Sequence, residues 1–165
     1  MSGIGDILSH VYKRVGKKQG VDMPNSPFTR LLYTFMSIID SAVLTSNNLD
    51  EYLNNLPSNT NFRENEVYAK CISELRDEIK AIDKVKDTII RSEFITQLQA
   101  SQFSKIMKSK NFNFAMNTFF IGNEKFILTR LKNLNDNLKK LKEEIDALYE
   151  SFINAENNSK KRAHN

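Results

Sequence analysis

The side chains able to do chemistry in this chain are few and scattered. It carries one cysteine, Cys71, two histidines, His10 and His164, and no tryptophan in 165 residues. A Cys-His or Ser-His nucleophile needs the histidine within hydrogen-bonding reach, yet the two histidines stand near opposite ends of the chain. Structural zinc sites want four cysteines or histidines, and di-iron bundles want Glu-x-x-His on each of two helices; neither pattern occurs. No serine is followed three residues later by lysine, so the Ser-x-x-Lys nucleophile is missing too. Gly3-Ile4-Gly5 begins like a dinucleotide-binding turn, but Leu8 stands where the third glycine belongs. Glu74, Asp77 and Glu78, and likewise Asp83 and Asp87, share a helical face that could hold a hard cation. Interleaved Arg76, Lys80, Lys84 and Lys86 favour a solvated, self-paired face instead. The expectation is a protein that is not an enzyme, with no catalytic or metal site and no cofactor.

Basic residues beside aromatics raise a second chemistry, the holding of phosphates while rings stack on bases. Three clusters qualify: Lys13, Arg14, Lys17 and Lys18; Lys105, Lys108 and Lys110 beside Phe103, Phe112 and Phe114; and Lys160, Lys161 and Arg162. The first two supply candidate phosphate contacts, and the third is a weak match to a nuclear import signal. Phenylalanines at helical spacing belong more often to a core, and no helix-turn-helix, zinc-finger or RNA-recognition signature accompanies them. Nucleic-acid binding stays an alternative. The first cluster also borders an apolar stripe of Ile4, Ile7, Leu8, Val11, Tyr12 and Val15. On a helix from Gly3 to Lys18, that stripe would dock on the rest of the protein or lie in an anionic membrane interface, with the lysines against headgroups. A cleaved targeting peptide is a third reading of the same residues.

Elements that would carry these residues follow from the apolar spacing. Ile127, Leu131, Leu134, Leu138, Leu141, Ile145, Leu148 and Phe152 recur alternately four and three residues apart, which keeps one seam facing a neighbouring helix. The positions beside it, among them Arg130, Asn135, Asn137, Lys142, Glu144 and Tyr149, show no charge pattern that selects a partner or its direction. A helix over 124–157 is expected. Its seam, Leu131 to Phe152, has two competing uses: packing on the Val67–Leu98 stretch, where Ile72, Leu75, Ile79 and Ile82 repeat the spacing, or self-association with a second copy or a partner's helix.

Upstream, Ser26 and Pro27 read as the cap and first position of a helix in which Phe28, Leu31, Leu32, Phe35, Met36, Ile38, Ile39, Ala42, Val43 and Leu44 cover more than one face. That helix should be the most buried. Thr45-Ser46-Asn47-Asn48 is expected to break it, with Asn48 and Glu51 capping a short helix from Leu49 to Leu56. Asn61 with Glu64 repeats the signature ahead of the long Val67 stretch, whose periodicity either continues to Met107 or breaks near Arg91-Ser92, since the unbroken run would be very long. Asn111 to Ile121 fits a strand by Phe112 and Phe114 and a helix by Phe112, Met116, Phe119 and Phe120; the surroundings favour helix. Gly122-Asn123 supplies a stop and a new cap.

Bulk properties agree with this plan. Five glycines and three prolines are few, and the apolar period is helical, so the fold class is all-α: an elongated helical bundle with two long antiparallel helices and a coiled-coil-like C-terminal helix. The organisation expected is a basic amphipathic helix over 1–20, a helical domain over 21–157 and a disordered basic tail over 158–165. The net charge of +4 arises from 24 basic against 20 acidic residues and decides little about partners. The lone cysteine and the lack of a long apolar segment favour an intracellular, cytoplasmic or nuclear setting. The function expected is a scaffold or adaptor that works by protein–protein interaction as a homo-oligomer, with nucleic acid or an anionic membrane surface as the other candidate partners.

Overall fold

The computed structural model describes residues 26–93, 95–120 and 126–163, and the expected helix over 1–20 and the Gly122-Asn123 cap lie outside them. Among the described residues there are five α-helices and no strand: α1 (Pro27–Asn54), α2 (Glu66–Ile90), α3 (Gln97–Met107), α4 (Lys110–Asn113) and α5 (Ile127–Ala163). A 3-10 turn covers Phe62–Glu64, and a π-helical segment, Phe114–Thr118, follows α4.

Each start has a local cause. The Ser26 hydroxyl accepts the Thr29 amide at 3.4 Å, with Pro27 in the first turn of α1. Asn65, rather than Asn61, caps α2 by accepting the Tyr68 amide at 2.9 Å, because Phe62–Glu64 turns as 3-10 first. α2 ends at Ile90 with Arg91 as its C-cap, at the expected break. Thr96 and Gln99 form a reciprocal capping box for α3, at 3.1 and 2.9 Å. Ser109 caps α4 by accepting the Phe112 amide.

Two expected boundaries are corrected. α1 runs unbroken through Thr45-Ser46-Asn47-Asn48 to Asn54, with Thr45 and Asn47 finding partners on the neighbouring helices. α5 spans Ile127–Ala163, beyond the Asn157 end expected for that helix.

The packing is an up-down-up-down bundle with α1 against both long helices. Tyr52 meets Asn65 and Thr45 meets Glu78, so α1 and α2 are antiparallel. Phe28 meets Phe152, Tyr33 meets Tyr149, Asp40 meets Lys142 and Asn47 meets Asn135, so α1 and α5 are antiparallel as well. The third column is assembled from α3, α4 and the π segment. It runs against α2, with Arg76 over the Phe120 ring and Lys86 over the Phe112 ring. It also runs against α5, where Asn111 donates to Glu144 and Arg130 to the Phe119 carbonyl.

It follows that α2 and α5 point the same way, and that the long antiparallel pairs are α1 with α2 and α1 with α5. The physical reason is α1 itself: Phe28, Leu32, Phe35, Ile38, Ile39 and Ala42 are all buried, and their spread round the helix gives both amphipathic helices a place to bury against. Phe35 reaches across the core to Phe103, edge to face, with ring centroids 5.6 Å apart.

Candidate interaction groove

The seam of α5 is the first sequence candidate to be placed. Leu131, Leu134, Leu138, Leu141 and Ile145 are fully buried, Leu148 is nearly so, and Phe152 is half-buried edge to face with Phe28 at 5.2 Å. It packs within the chain, chiefly against α1 and the third column, and shares one hydrophobic core with Ile72, Leu75, Ile79 and Ile82 of α2. The flanking positions sort into two ladders. Asn135, Lys142 and Tyr149, seven apart, meet Asn47, Asp40 and Tyr33 of α1, also seven apart. On the other flank Arg130 and Glu144 tie α5 to Phe119 and Asn111 of the third column.

Two lysines on the long helices are committed to carboxylates. The Lys86 ammonium lies 2.8 Å from Asp83 and 3.4 Å from Asp87, and its bond to Asp83 raises its pKa above the ordinary lysine value despite partial burial. The Asp83 and Asp87 face therefore holds a lysine. Lys142 likewise is held 2.6 Å from Asp40, which raises its pKa. Burial, with a smaller push from Glu74, raises the Cys71 thiol, the opposite of what an activated thiolate requires. Among the described residues no group of three or more His, Cys, Asp or Glu is placed to hold a metal ion.

Of the candidate phosphate contacts, Lys105, Lys108 and Lys110 are exposed, but Phe103 and Phe112 are buried and Phe114 half-buried. The Phe103 and Phe112 rings pack in the core and leave no free face for a base to stack on. Ile4, Ile7, Leu8, Val11, Tyr12 and Val15, together with Lys13, Arg14, Lys17 and Lys18, lie outside the described residues, as do His10 and His164. No helix among the described residues is long and apolar enough to cross a membrane.

A groove of about 310 Å³ lies where α2 meets the third column. Asp83, Lys86 and Ile90 come from α2; Ser104, Met107 and Lys108 from α3 and its C-cap; Phe112, Asn113, Met116 and Asn117 from α4 and the π segment. Its floor is apolar, with Met107 and Phe112 buried, whereas Ile90 at its mouth stays 47% exposed. Ser104, Asn113, Asn117 and Lys108 supply a polar rim. Two methionines make such a lining adaptable, since their unbranched side chains repack at little cost. The π-helical segment Phe114–Thr118 carries Met116 and Asn117; insertions of this kind recur at functional sites.

Of the candidate phosphate contacts only Lys108 lines this groove, beside Asp83, Lys86 and Phe112, which the sequence suggests for cation holding, ion pairing and base stacking. The rest of the lining depends on the register of α3, which the break near Arg91-Ser92 does not fix by itself. The Thr96 and Gln99 capping pair was the signal that would have turned its faces correctly. Compared with protein-family models, with curated proteins and with solved structures, the chain matches none.

Proposed function

We propose that the chain is a non-catalytic helical adaptor that binds a protein partner through the groove between α2 and the third column. The observation that carries this reading is Ile90, a large aliphatic side chain half exposed at the mouth of a methionine-lined groove with a polar rim. An apolar centre inside a polar ring is the composition of a protein-binding patch, and the groove is large enough to take one or two anchoring side chains of a partner helix. The self-paired ions around it support the same reading. Lys86 is already neutralised by Asp83 and Asp87, so the groove selects by shape and apolar contact more than by charge.

The test compares proteins recovered with the wild-type chain and with Ile90→Glu and Met116→Lys, using thermal unfolding as the control for folding. Both substitutions sit on the groove lining, outside the fully buried core. The expected outcome is loss of a specific partner with little change in melting temperature. Equal recovery by all three would overturn the assignment of the groove.

A further inference from the structure

The middle of α1 carries two conflicting instructions. Thr45-Ser46-Asn47-Asn48 is a run of side chains that compete with the helix backbone for hydrogen bonds. Asn48 and Glu51 together spell a capping box for a separate helix beginning at Leu49. The folded chain follows neither instruction and keeps one helix to Asn54.

What overrides them comes from outside α1. The Thr45 hydroxyl reaches Glu78 of α2 as well as the Ser41 carbonyl one turn back. The Asn135 amide of α5 donates to the Asn47 side chain. Between these two contacts Ser46 points into the core, fully buried, and its hydroxyl finds no hydrogen-bond partner among the described residues; the Asn135 carbonyl oxygen finds none either. The bundle is thus polar and incompletely satisfied at the level where its central helix is intrinsically weakest, a combination that lowers the cost of local opening. Below it, Leu49 and Leu53 are buried, but the half-exposed Leu44 contributes little to holding the level shut.

We propose that α1 is a two-state element hinged at Thr45–Asn48. In the minor state Asn48 caps a short helix starting at Leu49, the contacts of Thr45 with Glu78 and of Asn47 with Asn135 are released, and Leu49 and Leu53 leave the core together. The opening exposes apolar surface at the end of the bundle that carries the 3-10 turn, far along α2 from Ile90, so it is independent of the groove.

Residue-resolved amide exchange on the full-length protein tests this. Amides of Leu49 to Leu53 should exchange at one shared rate, faster than those of Phe35 to Ala42. Asn48→Ala removes the cap of the open state and favours the continuous helix, so it should slow that shared rate about five-fold. Thr45→Val removes the hydroxyl that reaches Glu78 while keeping its shape, so it should hasten the exchange. The ratio of the two regions within one sample is the readout, which makes any global loss of stability in a variant visible as a change in both. Rates that climb stepwise toward Asn54 would indicate simple fraying of the helix end and overturn the proposal. So would a shared rate that Asn48→Ala leaves unchanged or raises.

Discussion

Asp146 shows how the bundle handles a charge that has no good place to go. It stands one turn along α5 from Lys142, yet the Lys142 ammonium is already bonded to Asp40 at 2.6 Å, and one Asp146 carboxylate oxygen is buried with no hydrogen-bond partner among the described residues. Burial is the largest cause of its raised pKa; Lys142 opposes the rise, and Asp40, Glu150 and Glu143 add to it. Because the folded value lies above the unfolded one, the native state binds more protons between the two, and this group's contribution to stability falls as pH rises through that window. Asp146→Asn should therefore stabilise the protein at pH 7, by less than about 1 kcal/mol because the site is only partly buried. The gain should vanish below pH ~4, where the unfolded carboxyl is protonated as well. Urea unfolding of both proteins at pH 7 and pH 3 measures it, and a loss at pH 7 would mean that attraction to Lys142 outweighs burial. None of this was legible in the sequence. Spacing puts Asp146 and Lys142 on one face, but only the fold shows that Asp40 takes the lysine first, whereas the pairing of Lys86 with Asp83 and Asp87 on one helix was readable from their interleaving.

At the scale of elements, the apolar spacing named the helices well and their ends less well. The start of α1 at Ser26-Pro27 and the stop after Ile90 were readable because cap chemistry is local. The break expected at Thr45–Asn48 failed because its warrant was also local, whereas the side chains that keep α1 helical come from Glu78 and Asn135, 33 and 88 residues away in the chain. α3 shows the reverse. The break near Arg91-Ser92 is legible in the sequence, yet the register of the helix that follows rests on the Thr96 and Gln99 capping box, and that register sets the faces that line the groove. Loss of that cap should be measurable on its own: Thr96→Ala is expected to cost about 1 kcal/mol, read as a lower midpoint in chemical denaturation with an unchanged slope. Because Met107 and Lys108 are carried by this helix, the same substitution should loosen the groove without touching it. A Thr96→Asp variant, which can still accept the Gln99 amide, should restore most of the stability.

The whole molecule explains why the most regular pattern in the sequence was the easiest to misassign. A seam with heptad spacing states that a helix will be buried along one side, and it leaves open against what. Here α1 answers both α2 and α5, as its apolar residues on more than one face foretold, and the seam of α5 is filled from within the chain. Each of its large side chains contributes roughly 1.5–3 kcal/mol by leaving water, and Leu138 sits at the middle of that row with no exposed surface. Leu138→Asp would set an unpaired carboxylate opposite α1, so a loss of more than about 4 kcal/mol is expected, a large share of an ordinary domain's stability. Light scattering at several concentrations separates this from a dimerisation seam. With the seam used internally, the variant should lose thermal stability at every concentration, and the wild-type mass should not depend on this face. If the wild type instead doubles in mass on concentration and Leu138→Asp returns it to a stable monomer, the seam joins two chains and the internal packing of α5 on α1 is wrong.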